Sequence, residues 1–298
     1  MCLDAPFTQE PHEVFRAEHR IQPWLNAWGA DGGMLMLTQN ERMRRWRYVW
    51  LLDVDEGTSR LWFDLDEDDR YGDPGNPLYR PLPNGRWVLR QQGDAVYFKG
   101  SGATDKGDRP FLDLRHIESG ETERLFRCDP DRYEYFVAFA GDENRFVLRS
   151  ESAVEVPNYY LATLGEAIET TEGEAGRTLT RVPITRFEDP TPQLRQIEKR
   201  IVRYEREDGV PLSFQLLLPP GYKEGTRLPT VLYAYPLEYS GAATAGQVRG
   251  SAQHFMRIYG PSHLYFLLNG YAVLDQTAMP MIGDPETTYD TFVLQLVA

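Results

Sequence analysis

Residues 199–235 read KRIVRYEREDGVPLSFQLLLPPGYKEGTRLPTVLYAY, and three runs in them have strand character: Lys199–Glu205, Leu212–Leu218 and Thr230–Tyr235. Asp208-Gly209 joins the first two, a pair that favours a tight hairpin because glycine readily adopts positive φ. Pro219-Pro220-Gly221-Tyr222 and a polar loop ending at Pro229 separate the second run from the third. A fourth apolar run, Tyr271–Leu274, follows a helical-looking stretch and the stop signal Gly270. Hairpin, strand, helix, strand: this order predicts an antiparallel edge that leads into a parallel sheet.

Within that crossover, Ser251–Asn269 predicts two helical pieces, His254–Tyr259 and Ser262–Leu268, split at Gly260-Pro261. Ser262 reads as the N-cap of the second. Further on, Asp290–Ala298 places Phe292, Val293, Leu296 and Val297 on one helical stripe, which carries neither cap nor polar exit.

Upstream, Pro190 and Pro192 in RFEDPTP (186–192) break regular structure and mark a linker. From residue 33 to 183 the chain is a series of short strands punctuated by turns. Met34–Thr38, Tyr48–Asp53 and Arg60–Phe63 form one group, with Asp55-Glu56-Gly57 as a hairpin turn. Trp87–Gln91, Ala95–Lys99, Phe111–Ile117 and Thr122–Phe126 form the next, and Tyr133–Ala140, Arg145–Arg149, Asn158–Thr163 and Thr178–Val182 a third. WLLDVDEGTSRLWF (50–63) and FLDLRHIESGETERLF (111–126) share one layout: strand, acidic-glycine turn, strand ending in an aromatic residue. Four-strand groups recurring at roughly 45–60 residues are the sign of β-propeller blades, with a flat β-sandwich as the alternative. The expectation is a partial β-propeller of about three blades over 1–185, fewer than the four or more with which propellers close.

A length of 298 residues suits one large domain or two ordinary ones. Hydrophobic content of 41% and charged content of 26% are ordinary for a globular chain. The net charge of −13 argues against nucleic acid as a partner and equally against an anionic membrane surface. The longest nearly apolar run, Leu264–Leu274, is broken by Asn269-Gly270 and is too short to span a bilayer. Cys2 and Cys128 form neither a metal spacing nor a disulfide framework. No signal-peptide order opens the sequence, and no compartment is assigned.

Candidate chemistry is sparse. Ser101, Ser119, Ser251 and Ser262 have glycine neighbours, but none has both glycines of the G-x-S-x-G elbow. Ser262-His263 is no catalytic dyad, because adjacent side chains on a helix diverge by roughly 100°; His263 and His254 read as surface or capping residues. His12, His19 and His116 are scattered without metal-ligand spacing, so no metal and no cofactor is expected. Asp64-Leu65-Asp66-Glu67-Asp68-Asp69 alternates acids like a calcium loop. Asp69 and Gly75 stand where that loop needs Gly and Glu, so a solvated acidic loop is the better reading. GATDKG (102–107) fails as a phosphate loop because Asp108 replaces the lysine. Trp46, Trp50, Trp62, Tyr97 and Phe98 read as packing residues.

DPTPQLRQIEKRIVRYEREDGVPLSFQLLLPPGYKEGTRLPTVLYAYP (189–236) resembles the linker and first hydrolase strands of the prolyl oligopeptidase family of serine peptidases, closest to its glutamyl endopeptidase branch. GPSHLYFLLNGYAVLD (260–275), MPMIGDPETTYDTFVLQLVA (279–298), LDAPFTQEPHEVFRAEHR (3–20), DRYGDPGNP (69–77) and GDRPFLD (107–113) extend the resemblance over essentially the whole chain. It implies a β-propeller over 1–185, the linker 186–192, and the N-terminal portion of an α/β-hydrolase domain over 193–298. It implies hydrolysis of peptide bonds, with peptides as substrates, by a Ser nucleophile with His as base and an orienting Asp. None of the three is in the chain: the resemblance puts them beyond Ala298, so the chain is expected to be an internal fragment, inactive alone. One functional position carries over, a tyrosine at the end of the third hydrolase strand that donates to the oxyanion. Tyr235 matches it, although Pro236-Leu237 stand where the prolyl branch has two glycines, and a packing tyrosine is the other reading. Strand 271–274 is expected to border the nucleophile strand and so to expose an apolar sheet edge. The competing hypothesis is a non-catalytic β-propeller binding module.

Overall fold

The computed structural model describes residues 6–169, 175–284 and 287–297. They are mostly β-strand, arranged in open sheets with few and short helices, and no closed ring of blades is formed among them. The chain divides into two compact units: Met1–Lys99 with Asp113–Glu123, and Gly100–Leu112 with Arg124–Ala298. The linker segment 186–192 falls inside the second.

In the first unit, β1 (Met34–Glu41), β2 (Trp46–Asp53) and β3 (Thr58–Asp66) form an antiparallel meander, with Arg20–Ile21 and Ala27–Trp28 paired to β1. The turn between β2 and β3 is the expected one: Gly57 takes φ +66°, and Asp53 Oδ1 accepts the amides of Asp55 and Glu56. Strand alternation sends Met36, Val49, Leu51 and Phe63 to one face, where they join Leu89, Val96, Phe98 and Ile117 in a core cluster. A bulge between Val49 and Trp50 keeps Phe63 opposite Val49 while Trp50 meets Leu61, so both strands hold one apolar face. The next sheet has the order β6 (Thr122–Arg127), β5 (Phe111–His116), β4 (Ala95–Gly100), then Asn76–Pro77, with Gln91–Gln92 also on β4. The paired hairpins legible at 50–63 and 111–126 are therefore both present.

The second unit contains an antiparallel meander of β7 (Tyr133–Ala140), β8 (Asp142–Glu151), β9 (Asn158–Glu169) and β10 (Ala175–Pro183). Phe136, Phe146 and Leu148 are buried there, and Phe146 lies 5.9 Å from Phe126. A second, mixed sheet has the order β11 (Glu198–Glu205), β12 (Pro211–Leu218), β14 (Ala272–Thr277), β13 (Thr230–Ala234). β11 and β12 are antiparallel across the Asp208-Gly209 turn, β12 and β14 are antiparallel, and β13 and β14 are parallel. Leu194, Ile197, Leu217, Met256, Leu267 and Val273 pack as its core.

Two expectations are corrected. Strand 271–274 is not an edge: β14 lies between β12 and β13, and the sheet ends on β11 and on β13, where Leu232 and Tyr233 are 56% and 54% exposed. His254–Tyr259 is not helical. Its polar backbone groups are taken by side chains from other elements: Lys199 Nζ donates to the His254 carbonyl, Arg195 Nη2 to that of Met256 at 2.7 Å, and Glu151 accepts the Phe255 amide at 3.3 Å. Those bonds, with Phe255 and Met256 buried, replace the i→i−4 ladder of a helix. The second piece does form, as a 3₁₀ turn at His263–Asn269 capped by Ser262 and closed by Gly270 at φ +80°. Asp290–Ala298 divides into a 3₁₀ turn at Thr288–Thr291 and a helix at Phe292–Val297; Ala298 lies outside the described residues.

Candidate functional site

The parallel strands β13 and β14 finish side by side, with Ala234 opposite Thr277 after a register shift. Chain segments leaving both strands stay together, since Leu237–Tyr239 pairs in parallel with Pro280–Ile282. Ligands of open α/β sheets bind beyond the carboxyl ends of parallel strands. Tyr235 occupies that end. Its ring is 75% exposed and its hydroxyl has no hydrogen-bond partner among the described residues.

His263 centres a polar constellation that spacing alone did not reveal. His263 Nε2 is 3.0 Å from Asp275 Oδ1, and the imidazole stacks on Tyr233 with centroids 3.9 Å apart and planes 8° from parallel. Ser262 Oγ accepts the Leu264 amide at 3.2 Å, so its hydroxyl serves the cap rather than His263. Asp275 lies in the second half of β14 and Tyr233 near the end of β13. Only the insertion of β14 next to β13 brings them to one imidazole.

His254, the other histidine singled out, joins a different cluster. Its Nδ1 is 3.0 Å from Glu151 Oε1, its ring lies 3.8 Å from that of Tyr133, and Arg149 Nη2 holds Glu151 Oε2 at 2.7 Å. Burial works to raise the Glu151 carboxyl, but the His254 hydrogen bond and the Arg149 charge outweigh it and hold the group below its ordinary value. Burial lowers the nearby Lys199 ammonium to about 8. Burial also raises the Cys128 thiol to about 12, which disfavours the thiolate.

The remaining candidates are ordinary. In the acidic loop Asp68 turns inward, its side chain 3% exposed, and meets Arg45 at 2.7 Å. Trp46 Nε1 donates to Asp64. Thr104 and Gly107 of the 102–107 loop bond to each other and close a simple turn. Among the described residues no His, Cys, Asp or Glu group is arranged to hold a metal ion.

No family model matches the chain. It is similar to two curated plant proteins, both named "Probable glutamyl endopeptidase, chloroplastic". One, from Oryza sativa subsp. japonica, is 33% identical over 287 residues, covering 90% of this chain and 29% of the relative. The other, from Arabidopsis thaliana, is 34% identical over 287 residues, covering 91% of this chain and 29% of the relative. The chain thus spans 29% of the length of the curated relatives it matches.

Proposed function

We propose that these residues are a section of a serine-type peptidase of the prolyl oligopeptidase kind, nearest the glutamyl endopeptidases, which cuts peptide bonds after acidic residues. One observation carries the reading: identity of 33% over 287 residues to a protein of that name. In this reading residues 1–185 belong to a β-propeller, 186–192 to a linker and 193–298 to the start of an α/β-hydrolase domain. Antiparallel sheets followed by a mixed sheet that ends in a parallel pair support it. The nucleophile, acid and base lie outside these 298 residues, which contain no G-x-S-x-G.

Tyr235 then donates its hydroxyl to the oxyanion formed on the scissile carbonyl. Exposure of its ring and the lack of any competing bond to its hydroxyl support that role. Peptides are the partners. A net charge of −13 argues against nucleic acid, and among the described residues no helix is long and apolar enough to cross a membrane.

The test compares this chain with the longer polypeptide encoded around it, using peptides with glutamate or glutamine before the scissile bond. The expected result is no turnover by the 298-residue chain and glutamate-selective turnover by the longer one, blocked by a serine-directed inhibitor. Turnover by the short chain alone, or a longer frame without G-x-S-x-G, overturns the reading.

A further inference from the structure

The two faces of the first sheet differ in chemistry. One carries the core cluster of Met36, Val49, Leu51 and Phe63. The opposite parity of the same strands presents Gln39, Glu41, Tyr48 and Trp50 to a cleft of ≈ 730 Å³, walled on its other side by the segment with Phe15 and His19. That volume lies within the roughly 300–1,000 Å³ of small-molecule and side-chain pockets.

Aromatic rings form much of the wall. Phe15 and Trp50 lie 5.3 Å apart, and His19 stacks on Tyr48 with centroids 5.3 Å apart and planes 11° from parallel. The Tyr48 hydroxyl donates to Glu41 Oε2 at 3.0 Å, and His19 Nε2 is 3.8 Å from the same oxygen. Glu41 Oε1 has no partner among the described residues. Gln39 is 2% exposed, and its Oε1 accepts the His19 amide at 3.2 Å. That bond orients the side chain, and its NH₂ group has no partner among the described residues. Gln39 lines the cleft, so that NH₂ group can donate to an acceptor brought by a ligand. At the rim, Arg16 is neutralised by Glu13 at 2.6 Å, whereas Glu18 is unpaired among the described residues.

We propose that this cleft binds an arginine side chain of a peptide. A guanidinium is planar, stacks on aromatic rings and forks onto a carboxylate, which suits Trp50, Phe15 and the open oxygen of Glu41. The peptide carbonyl beside it accepts from the Gln39 amide. Charge agrees, since among the lining residues Glu13, Glu18 and Glu41 outnumber Arg16, while Arg44 reaches the Tyr48 hydroxyl at 3.2 Å from outside the lining. This inference stands on the first unit alone and is independent of the peptidase reading.

The test is calorimetric titration of the 298-residue chain with acetyl-Gly-Arg-Gly-amide and with the same peptide carrying citrulline, the uncharged isostere. Saturable binding is expected for the arginine peptide, weakened about tenfold or more by citrulline and by Glu41→Gln. Glu41→Gln is isosteric at a part-exposed site, and an unchanged melting temperature establishes that it folds. Glu118→Gln, whose side chain is 76% exposed and pairs with Arg60 away from the cleft, is expected to bind as the parent does. Absence of saturable binding, equal binding of the citrulline peptide, or affinity untouched by Glu41→Gln each overturns the proposal. So does a dimer that closes the cleft and dissociates on Glu41→Gln, which makes a second copy the occupant.

Discussion

His254 Nδ1 lies 3.0 Å from Glu151 Oε1, a contact between residues 103 positions apart. It ties the loop that replaces the expected helix to the end of β8. Glu151 is 4% exposed on its side chain; its Oε1 meets His254 and the Phe255 amide, and its Oε2 is ion-paired with Arg149 at 2.7 Å. Glu151→Gln keeps the shape and loses the charge. It should cost about 2 kcal/mol at pH 7, because a buried partner charge is left uncompensated. The folded-state carboxyl titrates below its ordinary 4.5, so this stability is present above that value and is lost as pH falls through the folded one. Denaturant melts of parent and variant should converge toward pH 3. A gap that persists there would assign the loss to shape rather than charge.

Lys199 predicts the opposite window. Burial lowers its ammonium from 10.5 to about 8. Below 8 the charge is present in both states and its desolvation opposes folding. As pH rises from about 8 to 10.5 the folded state releases the proton first, and stability contributed by this group increases, by about 3 kcal/mol at most. Lys199→Met should flatten that rise. The measurement is unfolding free energy at pH 7.5 and pH 10 for both proteins.

Arg206 anchors the end of the chain to the β11–β12 hairpin. Its side chain is 6% exposed, forks onto Asp208 at 2.7 and 2.8 Å, and donates to the carbonyls of Pro280 at 3.2 Å and Gln295 at 3.0 Å. Arg206→Met leaves both carbonyls and Asp208 without that donor, at a cost of about 2–4 kcal/mol. Hydrogen exchange should speed up at 280–282 and 292–297 before any change in β7–β10. Uniform acceleration would instead mean global destabilisation.

The β13 edge should govern solubility. Leu232 and Tyr233 are exposed on a strand paired on one side only, the arrangement that recruits other strands. Leu232→Lys should raise the concentration at which light scattering appears, with little change in melting temperature. A parent protein that stays monodisperse at high concentration with one cooperative melt argues against it.

Tyr235→Phe separates packing from chemistry. With the hydroxyl unbonded and the ring 75% exposed, the stability change should stay within about 0.5 kcal/mol. Under the proposed peptidase reading, the same change in the longer polypeptide should lower kcat about 10²-fold, the loss typical of a missing oxyanion donor. A destabilised Tyr235→Phe chain, or an unimpaired Tyr235→Phe peptidase, rejects the role.

Short-range chemistry was enough for the strands and turns. Strand patterning placed β1–β14 but underran several of them, 158–163 standing for Asn158–Glu169 and 178–182 for Ala175–Pro183, and Asp208-Gly209, Asp55-Glu56-Gly57 and Gly270 marked reversals, because a positive φ at glycine is a local steric matter. The Ser262 cap was equally local. What tertiary contacts alone settled was partnership. β14 runs between β12 and β13, so β13 became an open edge, because pairing depends on which strands bury Val273 and Leu217 together rather than on any strand's own residues. The stretch 254–259 had helical composition, yet Arg195, Lys199 and Glu151 satisfied its backbone first. The links of His263 to Asp275 and of His254 to Glu151 likewise bridge positions that become neighbours only once the sheets are assembled.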